Sequence, residues 1–430
     1  MTASVFELHG NVQSYDWGSL GKHSKVAHFA KEIPGFQYDA DKPYAELWMG
    51  THPSLPSKLA ADGSSLKDHL HINSHLLGDA VPAQYGSNDL PFLFKVLAIG
   101  KALSIQAHPD KKLAKQLFKE KPDIYKDENH KPEMAIALTD FSGFCGFRPL
   151  PQISDCLKSE PEFAAVVGQS AASSFQRVTS SATQSLLAKS PPAESPSPEY
   201  SDLQTALRDL FSALMHADPE TTVKPQLRKL VQRYKTETGK TISQEMKYGT
   251  IAELVVRLDE QFPNDVGAFC AFMLNVVDLK KGEAIFLKAN EPHAYLSGDN
   301  VVRAGLTPKL RDVPTLTSML TYTYGPSDSQ LMVPKPFRTP SKHTKEYNPP
   351  IDEFSVLLID TISSGSELHP ALDGPSIVIV TELNGTGEFK HDGGVIAVKR
   401  EGQTFFVAAG TQLEFRGKMI AYRAYVEVEN

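Results

Sequence analysis

The chain has 430 residues, of which 41% are apolar and 22% charged, with a formal net charge of -7. That length accommodates two or three domains with their own cores. The acidic balance excludes a nucleic-acid binder working through a basic face, but not a small anion held by a few local cations. Cys145, Cys156 and Cys270 form no Cys-x-x-Cys pair, which excludes a disulfide framework and a thiolate metal site and points to a reducing compartment. Residues 1–7 lack the basic start and apolar core of a signal peptide, and no stretch approaches the ~20 apolar residues of a membrane span. A cytoplasmic protein without a membrane or nucleic-acid partner is expected.

In chain order, residues 1–150 are rich in Gly, Pro and aromatic residues, with short apolar runs such as 92–97. This is the texture of strands joined by turns. Within it, residues 102–109 read as a strand. Period two puts Ser104, Gln106 and His108 on one face and Leu103, Ile105 and Ala107 on the other. Asp110 is a good N-cap for a helix carrying Leu113, Leu117 and Phe118. Residues 130–138 read as a second strand, with Lys131 and Glu133 sharing a face.

The texture changes after residue 150. Residues 168–202 are rich in Ser, Ala and Pro and are expected to form a flexible loop. Beyond them come three amphipathic stripes: Leu203, Leu207, Leu210 and Leu214; Leu227, Leu230, Val231 and Tyr234; Ile251, Leu254, Val255 and Leu258. A helical insert over 151–262, containing the Ser/Pro-rich loop, is the simplest organisation.

Strand texture returns at 278–287, and His293 and Tyr295 then share a face. The last hundred residues repeat the pattern. Residues 377–380 and 403–410 read as strands, with a tight turn at Gly385-Thr386-Gly387. This region carries only His369 and His391 and is expected to be metal-free. If the strands bearing Gln106, His108, Glu133 and His293 meet, two imidazoles, a carboxylate and an amide oxygen converge on one divalent metal. Taken singly, Gln-x-His is an ordinary polar strand face and His-Lys-Pro-Glu an ordinary solvated turn.

Five segments carry a resemblance: Tyr44-Ala45-Glu46-Leu47-Trp48-Met49-Gly50-Thr51-His52-Pro53, Leu90-Pro91-Phe92-Leu93-Phe94-Lys95-Val96-Leu97, Gln106-Ala107-His108-Pro109-Asp110-Lys111, His130-Lys131-Pro132-Glu133 and Val302-Arg303-Ala304-Gly305-Leu306-Thr307-Pro308-Lys309. In order along nearly the whole chain, they resemble the zinc-dependent type I mannose-6-phosphate isomerase family. The resemblance implies a mainly β protein with a helical insert, built from two cupin-like jelly-roll barrels plus an α-helical domain. It divides the chain into a catalytic cupin domain (1–150 and 263–330), the insert (151–262) and a C-terminal cupin-like domain (331–430).

The resemblance further implies one Zn2+ per chain on Gln106, His108, Glu133 and His293. The implied activity is interconversion of mannose 6-phosphate and fructose 6-phosphate through an enediol, supplying mannose 6-phosphate for GDP-mannose and glycoconjugate synthesis. Arg303 is then a catalytic residue near the sugar. Lys131 is the candidate for proton transfer, with a structural ion pair to Glu133 or another carboxylate as the alternative. Ser104, Lys95 and Lys309 are phosphate or sugar contacts, and Trp17, Glu46 and Tyr295 line or support the pocket, with packing as the alternative for each. The expected partner is the sugar phosphate, and the expected state a monomer.

One departure stands out. Family members carry a connection more than twice as long, including a carboxylate, where residues 297–300 run straight from His293-Ala294-Tyr295-Leu296 into Val301. A zinc-binding homologue disabled by the short connection is therefore one alternative. A non-haem iron oxygenase is the other, since two histidines and a carboxylate on a cupin barrel also suit iron. A fourth ligand at Gln106 and cations around a phosphosugar weigh against iron.

Overall fold

The computed structural model describes residues 3–191, 197–236, 245–246, 249–294 and 302–428. The chain packs as two compact units, one of residues 1–101 with 333–430 and one of residues 102–332. Among the described residues no helix is long and apolar enough to cross a membrane.

The first unit is built on a ten-stranded antiparallel sheet. Its main path runs Lys335–Pro336, Thr344–Tyr347, Ser355–Asp360, Leu413–Tyr425, Ser376–His391, Thr404–Val407, Val5–His9 and Lys58–Leu59. The first strand of the chain thus pairs with one of the last, Val5 opposite Val407. Alternate residues such as Leu357, Ile359, Val378, Val380, Phe405 and Val407 face one apolar core, as period two requires. The expected turn at Gly385-Thr386-Gly387 does not exist. These residues lie inside the long strand Ser376–His391, where the register shifts between Asn384 and Glu388 and three residues oppose the single Gly417. Gly385 and Gly417 have φ of 88° and 105°, so the glycines build a bulge in a continuing strand rather than a reversal. A smaller antiparallel sheet joins Asn11–Gln13, Glu46–Met49 and Phe94–Leu97.

The second unit holds a five-stranded sheet, a three-stranded sheet, the two-stranded pair Glu245–Met246 and Gly249–Thr250, and the long helices. The five-stranded sheet runs Leu274–Leu279, Phe141–Phe147, His293–Ala294, Ile105–Ala107 and Val302–Gly305. The three-stranded sheet runs Leu331–Met332, Ala284–Leu287 and Glu133–Ile136. Asp110 Oδ1 accepts from the amides of Lys112 and Leu113 and starts the helix Lys111–Glu120 directly after the Gln-x-His strand.

The leucine stripe of Pro198–His216 is fully buried, as are Leu227, Leu230 and Val255 in the helices Lys224–Thr236 and Ile251–Gln261. Thr250 and Glu253 form a reciprocal capping box at the start of the last.

The flexible loop expected over 168–202 is largely helix: Gln169–Ser180, Gln184–Ala188 and the first turn of Pro198–His216. Composition misled here because the serines occupy the outer face. Ala172, Phe175 and Thr179 recur at helical spacing and are buried, and spacing decides. Residues 192–196, inside the Ser/Pro-rich run, lie outside the described residues.

The stripe of Pro198–His216 supports a direct test. Leu210→Ala should destabilise the protein by about 2–5 kcal/mol through the lost apolar contact and the cavity left behind. Thr205→Ala, on the exposed face of the same helix, should stay within about 0.5 kcal/mol. Denaturant midpoints of the two variants check this, and equal shifts would contradict the packing described.

Candidate metal centre

The site grows from one short strand. Ile105–Ala107 lies between His293–Ala294 and Val302–Gly305, and the antiparallel register places Gln106 opposite both His293 and Arg303. Directly opposed residues put their side chains on the same face, so amide, imidazole and guanidinium are carried there by three adjacent strands. His108 follows two residues after Gln106, and its ring lies over that of His293 with centroids 5.2 Å apart and planes 24° off parallel.

The carboxylate comes from the three-stranded sheet of the same unit. Glu133 opens the strand Glu133–Ile136, opposite Leu287. Its Oε1 is 3.3 Å from His108 Nε2 and its Oε2 3.9 Å from His293 Nε2. One ligand-type atom from each of the three residues lies within 4.8 Å of the others.

The hydrogen positions follow from the partners. His293 Nδ1 lies 3.1 Å from the carbonyl oxygen of Glu291. A carbonyl only accepts, so Nδ1 carries the hydrogen and donates it, and Nε2 turns a lone pair toward Glu133. Burial, and next the proximity of His108, push the His293 pKa down to about 4 against the opposing pull of Glu133. The imidazole is therefore neutral at neutral pH, the form that ligates metals. A lone pair facing a carboxylate oxygen is a repulsive arrangement that a cation between them turns attractive. Two imidazole nitrogens and a carboxylate oxygen at this spacing suit a divalent ion of the zinc type.

Around this group the remaining candidates fall in different places. Gln106 is fully buried, and its Oε1 accepts from Ser104 Oγ at 3.2 Å. Lys131 precedes the Glu133 strand rather than sharing it, and its Nζ is 3.5 Å from the carboxylate of Asp127. Arg303 is half-buried on its strand, whereas Lys309 is exposed, its amide donating to Thr307 Oγ1. Tyr295 and the short connection over 295–301 lie outside the described residues.

Trp17, Glu46 and Lys95 belong to the other unit. There Glu46 is buried, accepts from Trp48 Nε1 at 2.5 Å and lies 3.8 Å from Lys95 Nζ, which sits 4.6 Å above the Trp48 ring. Trp17 stacks on Tyr15. Trp48 was not singled out from the sequence, although alternation puts it on the Glu46 face. Asp265, whose carboxylate receives three backbone amides beside the Arg303 strand, was missed as well. Its only sequence signal is an acidic residue two positions before a glycine.

Comparison with known proteins places this geometry. Family models for phosphomannose isomerase type I match in three parts: the catalytic domain over residues 5–150, the helical insertion domain over 167–274 and the C-terminal part over 347–393. The mannose-6-phosphate isomerase of Cryptococcus neoformans is 46% identical, covering 99% of this chain and all of that one. That of Saccharomyces cerevisiae is 44% identical with the same coverage. Among solved structures, Salmonella typhimurium mannose 6-phosphate isomerase bound to its substrate F6P and zinc superposes with a TM-score of 0.77 at 28% identity, covering 99% of this chain and all of that one. A zinc-bound mannose 6-phosphate isomerase gives the same score at 29% identity and the same coverage. The chain belongs to the type I phosphomannose isomerase family. Its relatives are isomerases, and neither the iron oxygenase nor the disabled homologue finds support among them.

The donor set leads to two expectations. His108→Ala and His293→Ala should each lower bound divalent metal well below about one ion per chain, because losing one donor leaves a weaker chelate; metal analysis of the purified variants checks this. For the metal-free protein, the unfolded His293 binds a proton near pH 6.5 and the folded one only near pH 4. Stability should therefore hold above pH 6.5 and fall as the pH drops from 6.5 toward 4. His293→Asn should flatten that part of the profile.

Proposed function

We propose that the chain is a zinc-dependent aldose-ketose isomerase that interconverts mannose 6-phosphate and fructose 6-phosphate, with zinc held by Gln106, His108, Glu133 and His293. The observation that carries the proposal is the meeting of His108, Glu133 and His293 within 4.8 Å, in a chain 46% identical over its length to a mannose-6-phosphate isomerase. Bound zinc supplies a Lewis acid that draws negative charge from the sugar's reacting oxygens.

The residues around it have separable tasks. Gln106 contributes a neutral oxygen, so Glu133 is the one negative charge among the four donors. Ser104 donates to Gln106 Oε1 and helps to orient that amide. Arg303, opposite Gln106 across the sheet, offers a planar, permanently charged fork to an oxyanion of the substrate.

The reaction moves a proton between C1 and C2 through an enediol. Lys131 is the proposed carrier, and Asp127 at 3.5 Å holds its ammonium by an ion pair when the substrate is absent. Ser104, Lys95 and Lys309 are the proposed sugar and phosphate contacts, and Trp17, Glu46 and Tyr295 the proposed lining or support of the pocket. For Glu46 and Lys95 the support is a buried carboxylate and a cation gathered on Trp48.

The same reading assigns 1–150 and 263–330 to a cupin-type jelly-roll catalytic domain, 151–262 to the helical insert and 331–430 to a second cupin-like barrel. Support comes from the catalytic family model, which ends at residue 150. We place the enzyme in the cytoplasm as a monomer that supplies mannose 6-phosphate for GDP-mannose synthesis.

A coupled isomerase assay with parallel metal analysis tests the activity. Turnover should disappear on chelation and return with zinc, and turnover unaffected by complete metal removal would overturn the proposal. Arg303→Lys keeps the charge and loses the fork, so it should still impair catalysis. A fall in kcat at constant KM would place Arg303 at the transition state, and a rise in KM at the phosphate.

A further inference from the structure

Arg303 can face the site only if its strand keeps its phase, and that strand is irregular. Val302 pairs with Ala107 and Arg303 with Gln106, but the register shifts before Gly305 pairs with Ile105. Such a bulge bends a strand and re-aims its side chains. The next residue, Leu306, has φ of 54°, a left-handed conformation that is strained for a non-glycine residue and persists only where its surroundings enforce it.

The enforcing group is the carboxylate of Asp265. Its Oδ1 accepts from the amides of Gly267 at 2.7 Å and Leu306 at 2.8 Å, and its Oδ2 from that of Thr307 at 3.3 Å. Two glycines make the approach possible. A Cβ on Gly305 would lie 2.7 Å from Gly267 Cα, and one on Gly267 would lie 2.7 Å from Leu306 N. The clamp is anchored in the core, because Asp265 also opens the wholly buried 3-10 helix Val266–Phe272. One carboxylate thus ties a fixed element to the residues that follow Arg303.

We propose that Asp265 is a positioning residue of the isomerase: by clamping the Leu306 and Thr307 amides it sets the direction of Arg303, and it acts through Arg303 rather than on the substrate. The proposal rests on the assignment of Arg303 to the substrate.

The test is a double-mutant cycle on the full-length, zinc-loaded enzyme, using Asp265→Ala, Arg303→Ala and the double variant, with amide hydrogen exchange at Leu306 and Thr307. Asp265→Ala should expose both amides, leave zinc content unchanged and alter the same kinetic parameter as Arg303→Ala, by about ten- to a hundredfold. In the Arg303→Ala background the same change should cost less than about twofold, the mark of two groups acting as one. Asp265→Asn keeps the Oδ1 acceptor and should protect Leu306 and retain most of the activity. If Asp265→Ala does not fold, Asp265→Glu, which keeps the charge and displaces the acceptor by a methylene, carries the same cycle.

Equal losses from Asp265→Ala with and without Arg303, or unchanged kinetics in a variant whose amides exchange freely, would overturn the proposal. Normal turnover in Arg303→Ala alone would instead remove the assignment on which it rests, while amide exchange would still report on the clamp.

Discussion

A carboxylate set against two buried imidazoles, His293 held neutral by its burial, is the constraint around which the 102–332 unit is arranged. The His293 imidazole cannot answer the charge of Glu133 by taking a proton cheaply: burial holds its pKa near 4, and its one hydrogen is committed to the Glu291 carbonyl. The group is therefore organised for a cation. Its atoms come from two separate sheets, so the spacing holds only while both sheets keep their registers. A one-residue slip in any of these short strands would turn a ligand to the opposite face.

That dependence gives the surrounding structure its meaning. The Gln106 strand is three residues long and the His293 strand two, too little pairing to hold register alone. They are held by what frames them: the longer strands Phe141–Phe147 and Leu274–Leu279 on one side, the helix capped by Asp110 after the first ligand strand, and the buried helices of the insert beneath. Arg148 ties part of this frame together. It is buried, and its guanidinium donates to the carbonyls of Leu274 and Ala271, satisfying backbone groups at the end of Val266–Phe272 that water cannot reach. The element that supports Asp265 is thereby held at both ends.

The first unit shows the same economy in another form. Its sheet pairs the first strand of the chain with a strand from the last hundred residues, so residues far apart in sequence share one core. Glu46, Trp48 and Lys95 form a compact polar group on its smaller sheet, with a buried carboxylate balanced by an indole N–H and a nearby ammonium. Burying that carboxylate is tolerable only because both partners are present.

Much of this was legible in the sequence because it depends on local spacing. The period of two at Gln106 and His108, the N-cap at Asp110 and the three buried stripes of the insert are properties of residues a few positions apart. The long motifs, read in order, carried the family. Composition alone was a poorer guide, as the Ser- and Ala-rich helix Gln169–Ser180 and the glycine bulge in Ser376–His391 show: small residues allow several backbones, and neighbours choose among them. Only the tertiary structure decided that Glu133 meets both histidines and that Asp265 reaches across to Leu306. These contacts span 25 to 160 residues of chain. No local pattern encodes such distances; they are set by which sheets and helices can share a core.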